Sequence, residues 1–483
     1  MRILQVSAEI YPLLKTGGLA DIAGALPAAL AAVGCDVRAL LPGFPAILQD
    51  LQGATVLSRQ VTPWGETIDV RSGRLGALGI NAYVIDAPAL YVRPGGPYDD
   101  TQHQPYADNH RRFALLGWIA GLLGQSLDAN WQPQVVHSHD WHAGLAPAYL
   151  TFSRERQPKP VASLFTVHNL AYQGVFAPQC FSDLGLPQSA FAVEGLEYYG
   201  KVSFIKAGLY YADRITTVSP TYAKEIQTPE QGCGLDGLLR ARSQVLSGIL
   251  NAVDETVWNP ATDLLIPCQY NAGDTSGKVR CKAALQQEMG LAVASRAPLF
   301  GIVSRITEQK GLHLVIAAID EMITRGGQLV VLGSGDSGLE SALREMAAKY
   351  PSAVAVRLGY DEALAHRIFA ATDVVLVPSR FEPCGLTQMY GLKYASLPLV
   401  HRVGGLADTV VDSTREALAA RKANGFAFDT FSADGFAGAM RRTFSLYTQP
   451  EDWNGMAQRA MRQSFGWQGS AEKYLALYRQ ITG

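Results

Sequence analysis

The sequence is poor in the features that would make it a fibre, a membrane span or a nucleic-acid binder. Acidic and basic residues nearly cancel, 43 against 41 in 483 residues, for a formal net charge of −2. No block of like charge gathers that could track a phosphate backbone or an anionic membrane, so neither nucleic acid nor membrane is expected as a partner. The longest run free of Asp, Glu, Lys, Arg and His, Phe113 to Leu127, contains Gly, Gln and Ser and is too short to span a bilayer. Gln5, Ser7 and Glu9 interrupt the apolar start before a signal-peptide core can form. Cysteine is scarce too. Cys35, Cys180, Cys233, Cys268, Cys281 and Cys384 lie far apart with no CxxC spacing, which argues against a zinc ribbon or a disulfide framework and suits reduced thiols in the cytoplasm.

What the chain does have is apolar residue in quantity, 48%, and a length that favours two or more domains. β-rich runs alternate with helical patterns, which implies right-handed βαβ units and parallel sheets. In the first half the strand-like runs are residues 2–10, 36–42, 133–139, 162–168 and 213–219. Residues 248–260 read as a connector rich in Asn, Asp and Pro. The alternation then restarts with near-continuous apolar runs at 298–305, 328–335, 353–359, 373–379 and 397–403, as expected of strands covered on both faces. The fold class is therefore α/β, with two doubly wound domains divided near residue 250. Ligands of such sheets bind beyond the carboxyl ends of the strands, and every polar motif below falls at a predicted strand end.

In KTGGLAD, Lys15 to Asp21, the pair Gly17–Gly18 removes the Cβ atoms that would hold an anion off the backbone, and a helix follows. The stretch fits neither GxGxxG nor GxxxxGK[ST]. An ordinary strand-to-helix turn would look the same. GGLAD returns in RVGGLAD, Arg402 to Asp408, and both glycine pairs read as places where a ligand closes on the backbone. SRITEQKG sets Arg305 at a strand end and Lys310 before a helix, two cations suited to a diphosphate. HSHDWH, 137–142, has the wrong register for a dinuclear hydrolase site, so no metal is expected; Asp140 reads as a cap for the following helix. His168 and Asn169, at another strand end, are candidates for sugar hydroxyls or are structural. In PSRFEPCGLTQMYG, Pro378, Pro383 and Gly385 crowd Glu382, and the helix after it has free N–H groups. Tyr360 follows a further strand and could stack on a base or fill a gap.

Taken together, SAEIYPLLKTGGLADIAGALP, HSHDWHAGLAPAYL, TVHNLAYQG, GILNAVDETVWNP, SRITEQKGL, PSRFEPCGLTQMYGLKYA and RVGGLADTVVD resemble, in order and over nearly the whole chain, the bacterial glycogen synthase and plant starch synthase family of retaining glycosyltransferases. The resemblance implies a GT-B fold, two Rossmann-like domains facing an inter-domain cleft. Residues 1–250 would form the acceptor-side domain, 251–455 the donor-side domain, and 456–483 a helix crossing back to the first. It implies transfer of glucose from ADP-glucose, as co-substrate, to the non-reducing 4-OH of an α-1,4-glucan, without metal or other cofactor. Lys15, Gly17 and Gly18 would face the donor diphosphate and sugar, with Asp21 near the nucleoside. Arg305 and Lys310 would neutralise the leaving diphosphate. Amides of Cys384, Gly385, Leu386 and Thr387 would hold sugar hydroxyls and phosphate, and Glu382 the glucose 3-OH. His168 and Asn251 would bind the glucose, Asp140 would line the acceptor side, and Tyr360 would lie beside adenine. The loop before Asp108, Asn109, Arg112 and Phe113 departs from the family pattern.

The same fold with UDP-glucose as donor, or with a small sugar as acceptor, is a second reading. A binding protein that has lost catalysis is a third, but Lys15, His168, Arg305, Lys310 and Glu382 all carry the residues the chemistry needs. An oxidoreductase is set aside on the expectation that GxGxxG with a downstream acid is absent.

Overall fold

The computed structural model describes residues 1–153 and 160–483. They divide into two compact units, Met1–Asn251 together with Trp467–Gly483, and Ala252–Gly466. The returning segment therefore begins at Trp467, where residue 456 was expected. Residues 456–462 complete the helix Pro450–Arg462, whose Met456 and Ala460 are packed into the core of the second unit. Asn251 closes the first unit and does not open the second.

Unit 1 is built on β1 (Arg2–Val6), β2 (Asp36–Pro42), β3 (Leu51–Val61), β4 (Thr67–Leu75), β5 (Ile80–Asp86), β6 (Val135–His139), β7 (Ala162–Val167), a small sheet of β8 (Val175–Phe176), β9 (Glu197–Tyr198) and β10 (Lys201–Ser203), then β11 (Arg214–Thr217) and β12 (Leu246–Gly248). The main sheet runs β12-β11-β7-β6-β1-β2-β5-β4-β3. Its strands from β12 to β5 pair in parallel, and β4 and β3 extend that edge antiparallel. The expected strands fall where the apolar runs lie. β3, β4, β5, β12 and the small sheet are additions in unit 1, as the strand Phe426–Phe428 is in unit 2; β3 exposes most of its residues and lacks an apolar run.

The helix Gly18–Ala32 buries Ile22, Leu26 and Leu30 against Ala471, Tyr474 and Tyr478 of the last helix, Trp467–Thr482. That contact is how the end of the chain becomes part of unit 1. It reaches the motif region as well, since Nδ1 of His137 lies 2.8 Å from the Tyr478 hydroxyl.

Unit 2 has six parallel strands, β13 (Leu299–Val303), β14 (Gln328–Gly333), β15 (Val354–Leu358), β16 (Val374–Val377), β17 (Leu397–His401) and β18 (Phe426–Phe428), in the order β15-β14-β13-β16-β17-β18. Apolar side chains cover both faces, as the continuous runs require. Each motif lies just past the carboxyl end of its strand. Among the described residues no helix is long and apolar enough to cross a membrane, and no disulfide forms.

Candidate functional site

In unit 1 the loops after β1, β6 and β7 carry the motif residues. Glu9, 2% exposed, is the hub of the first loop. Its carboxylate accepts from the Thr16 amide at 2.6 Å and the Thr16 hydroxyl at 2.5 Å, and from the Tyr98 hydroxyl. In the sequence Glu9 shows only as a break in an apolar run. Its partner Tyr98 comes from the loop before the helix Asn109–Gly124, and only pairing across that separation would have marked it. Tyr98 also stacks on His142, with centroids 4.7 Å apart. Lys15 Nζ is 2.7 Å from Asp21 Oδ1, so two residues assigned to different parts of a donor stand together. A Cβ at Gly17 or Gly18 would meet nothing within 4 Å: the protein leaves that space open.

Asp140 is not a helix cap. Its backbone is left-handed, φ 56°, and its side chain makes no cap bond to the short 3-10 turn that follows. Its Oδ1 instead accepts from the amides of His168 at 2.7 Å and Asn169 at 3.3 Å, tying the β6 loop to the β7 loop. Burial pushes this carboxyl up to about 7, against the two amides that favour its charge. His168 Nε2 lies 2.9 Å from His139 Nδ1, and His137 Nε2 lies 2.6 Å from the Thr166 hydroxyl. Desolvation holds His137, His142 and His168 down to about 3, and His139 well below its ordinary value. The motif's histidines are thus neutral, buried hydrogen-bonding and packing groups. Among the described residues no three His, Cys, Asp or Glu are grouped as metal ligands. Asn251 is half-buried at the end of the unit, with no side-chain bond to these residues.

In unit 2, Lys310 Nζ meets Glu382 Oε2 at 2.5 Å, and the Ser379 hydroxyl donates to the same oxygen at 2.8 Å. Glu382 is 8% exposed, so its charge is held inside and compensated. The turn after it is shaped by Gly385, φ 73°. The amides of Gly385, Leu386 and Thr387 donate to no acceptor among the described residues, while Cys384 is buried beneath. Arg305 is exposed and its side chain is engaged by no ion pair or hydrogen bond among the described residues. Tyr360 is exposed and donates to Glu362 Oε2 at 2.5 Å.

Two glycine readings change. A Cβ at Gly404 would sit 2.0 Å from the Glu382 carbonyl oxygen, and one at Gly405 2.1 Å from that of Cys384. The Gly405 amide donates to the Glu382 and Pro383 carbonyls at 3.1 and 3.2 Å. The second GGLAD therefore receives the protein's own turn, where a ligand was expected; Arg402 is occupied by Asp429 at 2.7 Å. A GxGxxG spacing is also present, at Gly333, Gly335 and Gly338. Its first two glycines make room for carbonyls of the neighbouring strand end, Ser304 at 1.8 Å and Ile306 at 2.2 Å from an added Cβ. The acid beyond it, Asp361, caps a helix by accepting from Leu364 N at 2.8 Å. These glycines fix the segment that carries Arg305.

Residues 2–241 match the family model described as starch synthase catalytic domain, and residues 289–460 match glycosyl transferases group 1. A glycogen synthase of Variovorax paradoxus is 61% identical, covering 99% of each chain, and one of Leptothrix cholodnii is 57% identical over the whole of both. The chain belongs to the glycogen and starch synthase family. Within that family, a solved catalytic domain of Arabidopsis thaliana starch synthase IV, bound to ADP and acarbose, is 32% identical with a TM-score of 0.88, covering 100% of this chain and 99% of that one. A sucrose-phosphate synthase of Thermosynechococcus elongatus, 17% identical at TM-score 0.58 and covering 99% and 98% of the two chains, shares the fold. The family fold is GT-B, with two Rossmann-like α/β domains, and the chain is a glycosyltransferase.

Two outcomes follow. Gly405→Ala should cost about 3 kcal/mol, since backbone blocks the new methyl, whereas Gly18→Ala should change stability by less than about 0.5 kcal/mol; calorimetric unfolding distinguishes them. Acidification should also destabilise the protein. The four buried histidines take up protons on unfolding below their unfolded value near 6.5, a stability present above that pH and lost as it falls. Asp140, raised to about 7 in the fold, opposes this by releasing one proton between its unfolded value and 7. The histidines outnumber it, so the urea midpoint should fall from pH 7 to pH 5.

Proposed function

We propose that this chain transfers glucose, with retention, from ADP-glucose to the non-reducing 4-OH of an α-1,4-glucan, the reaction of a glycogen synthase. The observation that carries the reading is the 61% identity, over 99% of both chains, to a protein named glycogen synthase. The ADP bound to the starch synthase relative supports an adenine nucleotide donor. Metal is not required by this chemistry, and the cytoplasm is the expected location.

Departure of ADP leaves an oxocarbenium-like glucose and concentrates negative charge on the leaving diphosphate. Fixed cations aimed at that charge lower the barrier most. Lys310 is preset by Glu382, and Arg305 is the unengaged cation on the same strand-end segment. The amides of Gly385 to Thr387 supply donors for phosphate or sugar hydroxyls. Glu382, with one oxygen held by both Lys310 and Ser379, is a poor nucleophile and a good acceptor for the glucose 3-OH. Attack by the acceptor hydroxyl on the face that ADP leaves, with the departing phosphate taking its proton, retains configuration without a covalent intermediate. Lys15, Gly17, Gly18, Asp21, His168, Asn251 and Tyr360 contribute to donor binding, and Asp140 to the acceptor side.

Arg305→Ala separates chemistry from stability. Because Arg305 is exposed and unengaged, its loss should leave the thermal midpoint unchanged and lower kcat by about 10²–10³-fold. The assay runs ADP-, UDP- and GDP-glucose with glycogen, with and without chelator. ADP-glucose should be preferred and chelator without effect. Preference for UDP-glucose would move the reading to the alternative donor.

A further inference from the structure

The turn between β9 and β10 breaks the local rules for a hairpin. Its two residues, Tyr199 and Gly200, have φ of 48° and 76°. A two-residue loop with positive φ at both positions is normally made by Asn-Gly or Asp-Gly, because a bulky L-residue is strained there. Tyr199 bears that strain although the residue is 79% exposed. Neither backbone preference nor burial explains a tyrosine in this place, and such departures gather at functional positions.

The surroundings are built to hold it. The Gly200 amide donates to Glu197 Oε1 at 2.5 Å. Tyr198 packs edge-on against the Tyr199 ring at 4.7 Å and donates its hydroxyl to the Cys233 carbonyl at 2.8 Å. Cys233 is itself left-handed, φ 49°. Gln173 donates to the same carbonyl at 2.8 Å, so the segment carrying Tyr172, a residue 53% exposed, is fastened to the same point. Two exposed aromatic residues thus flank one anchor on unit 1.

We propose that Tyr199 and Tyr172 form an aromatic platform for the growing α-1,4-glucan, apart from the residues assigned above to transfer. Each glucose presents an axial C–H face that stacks on an aromatic ring and a rim of hydroxyls that stays in water. Tyr offers such a face at low entropic cost, with a polar tip. An exposed ring suits a long, hydrated polymer better than a compact apolar ligand, which would need a closed pocket. The polymer as occupant rests on the activity proposed above.

The test measures retardation of the full-length protein in native gels containing glycogen, without donor, for wild type, Tyr199→Asn, Tyr199→Phe and Tyr172→Ala. Tyr199→Asn supplies the residue the turn prefers, so its thermal midpoint should equal or exceed that of wild type. Its apparent dissociation constant for glycogen should nevertheless rise about fivefold, the scale of one aromatic contact. Tyr172→Ala should weaken retention similarly, and Tyr199→Phe, which keeps the ring, should bind as wild type. Retention of Tyr199→Asn within twofold of wild type overturns the platform. So does unchanged retention with a lower solution mass, which would make the tyrosines a contact between copies. Loss of transfer by wild type would refute the proposed activity, while the gel comparison would still read the platform.

Discussion

A carboxylate shut away from water beside a single ammonium needs everything around it fixed, and unit 2 is arranged to meet that need at Glu382. The unpaired charge would be costly to bury, and the pair is useful only if its geometry is held to a few tenths of an ångström. Backbone packing against glycine supplies the fixing. The turn after Glu382 rests on Gly404 and Gly405, and Gly311, left-handed at φ 73°, lies where a Cβ would be 2.0 Å from the Pro378 carbonyl oxygen. Gly333 and Gly335 do the same for the segment bearing Arg305. The turn bearing the carboxylate, the row of unused amides and the backbone that carries the two cations are thereby set by main-chain contacts that no side-chain motion can relax.

Unit 1 uses a different device. Its motif loops are joined by buried side-chain hydrogen bonds, Glu9 to Thr16 and Tyr98, and Asp140 to the His168 and Asn169 amides. The histidines beneath them stay neutral because burial penalises their charged form. They can then be packed without counter-ions, at the cost of sensitivity to acid.

How much of this the sequence shows depends on the range of the interaction. The parallel strands β1, β2, β6, β7 and β13 to β17 contain apolar, largely buried stretches and stand out as runs, and the polar residues at their ends mark the motifs. β3, mostly exposed, has no apolar run by which to read it, and β8 to β10 are too short to carry a period. Glu9 is hidden because its meaning lies in Tyr98, 89 positions away. The second GGLAD and the GxGxxG at Gly333 show the limit of glycine patterns. They announce close approach of something to the backbone, but whether ligand or protein approaches is decided by tertiary packing. At Gly17 and Gly18 no protein atom occupies the space a Cβ would take, unlike the second pair.

The central claim is that Glu382, already engaged by Lys310 and Ser379, orients glucose and never bonds to it. Rapid-quench mass spectrometry of the peptide containing Glu382, taken during turnover of ADP-glucose with and without glucan, tests this directly. An unmodified peptide at every time point, together with an α-linked product, is the predicted result. A glucosyl ester on Glu382 that forms and decays at the rate of turnover would contradict it.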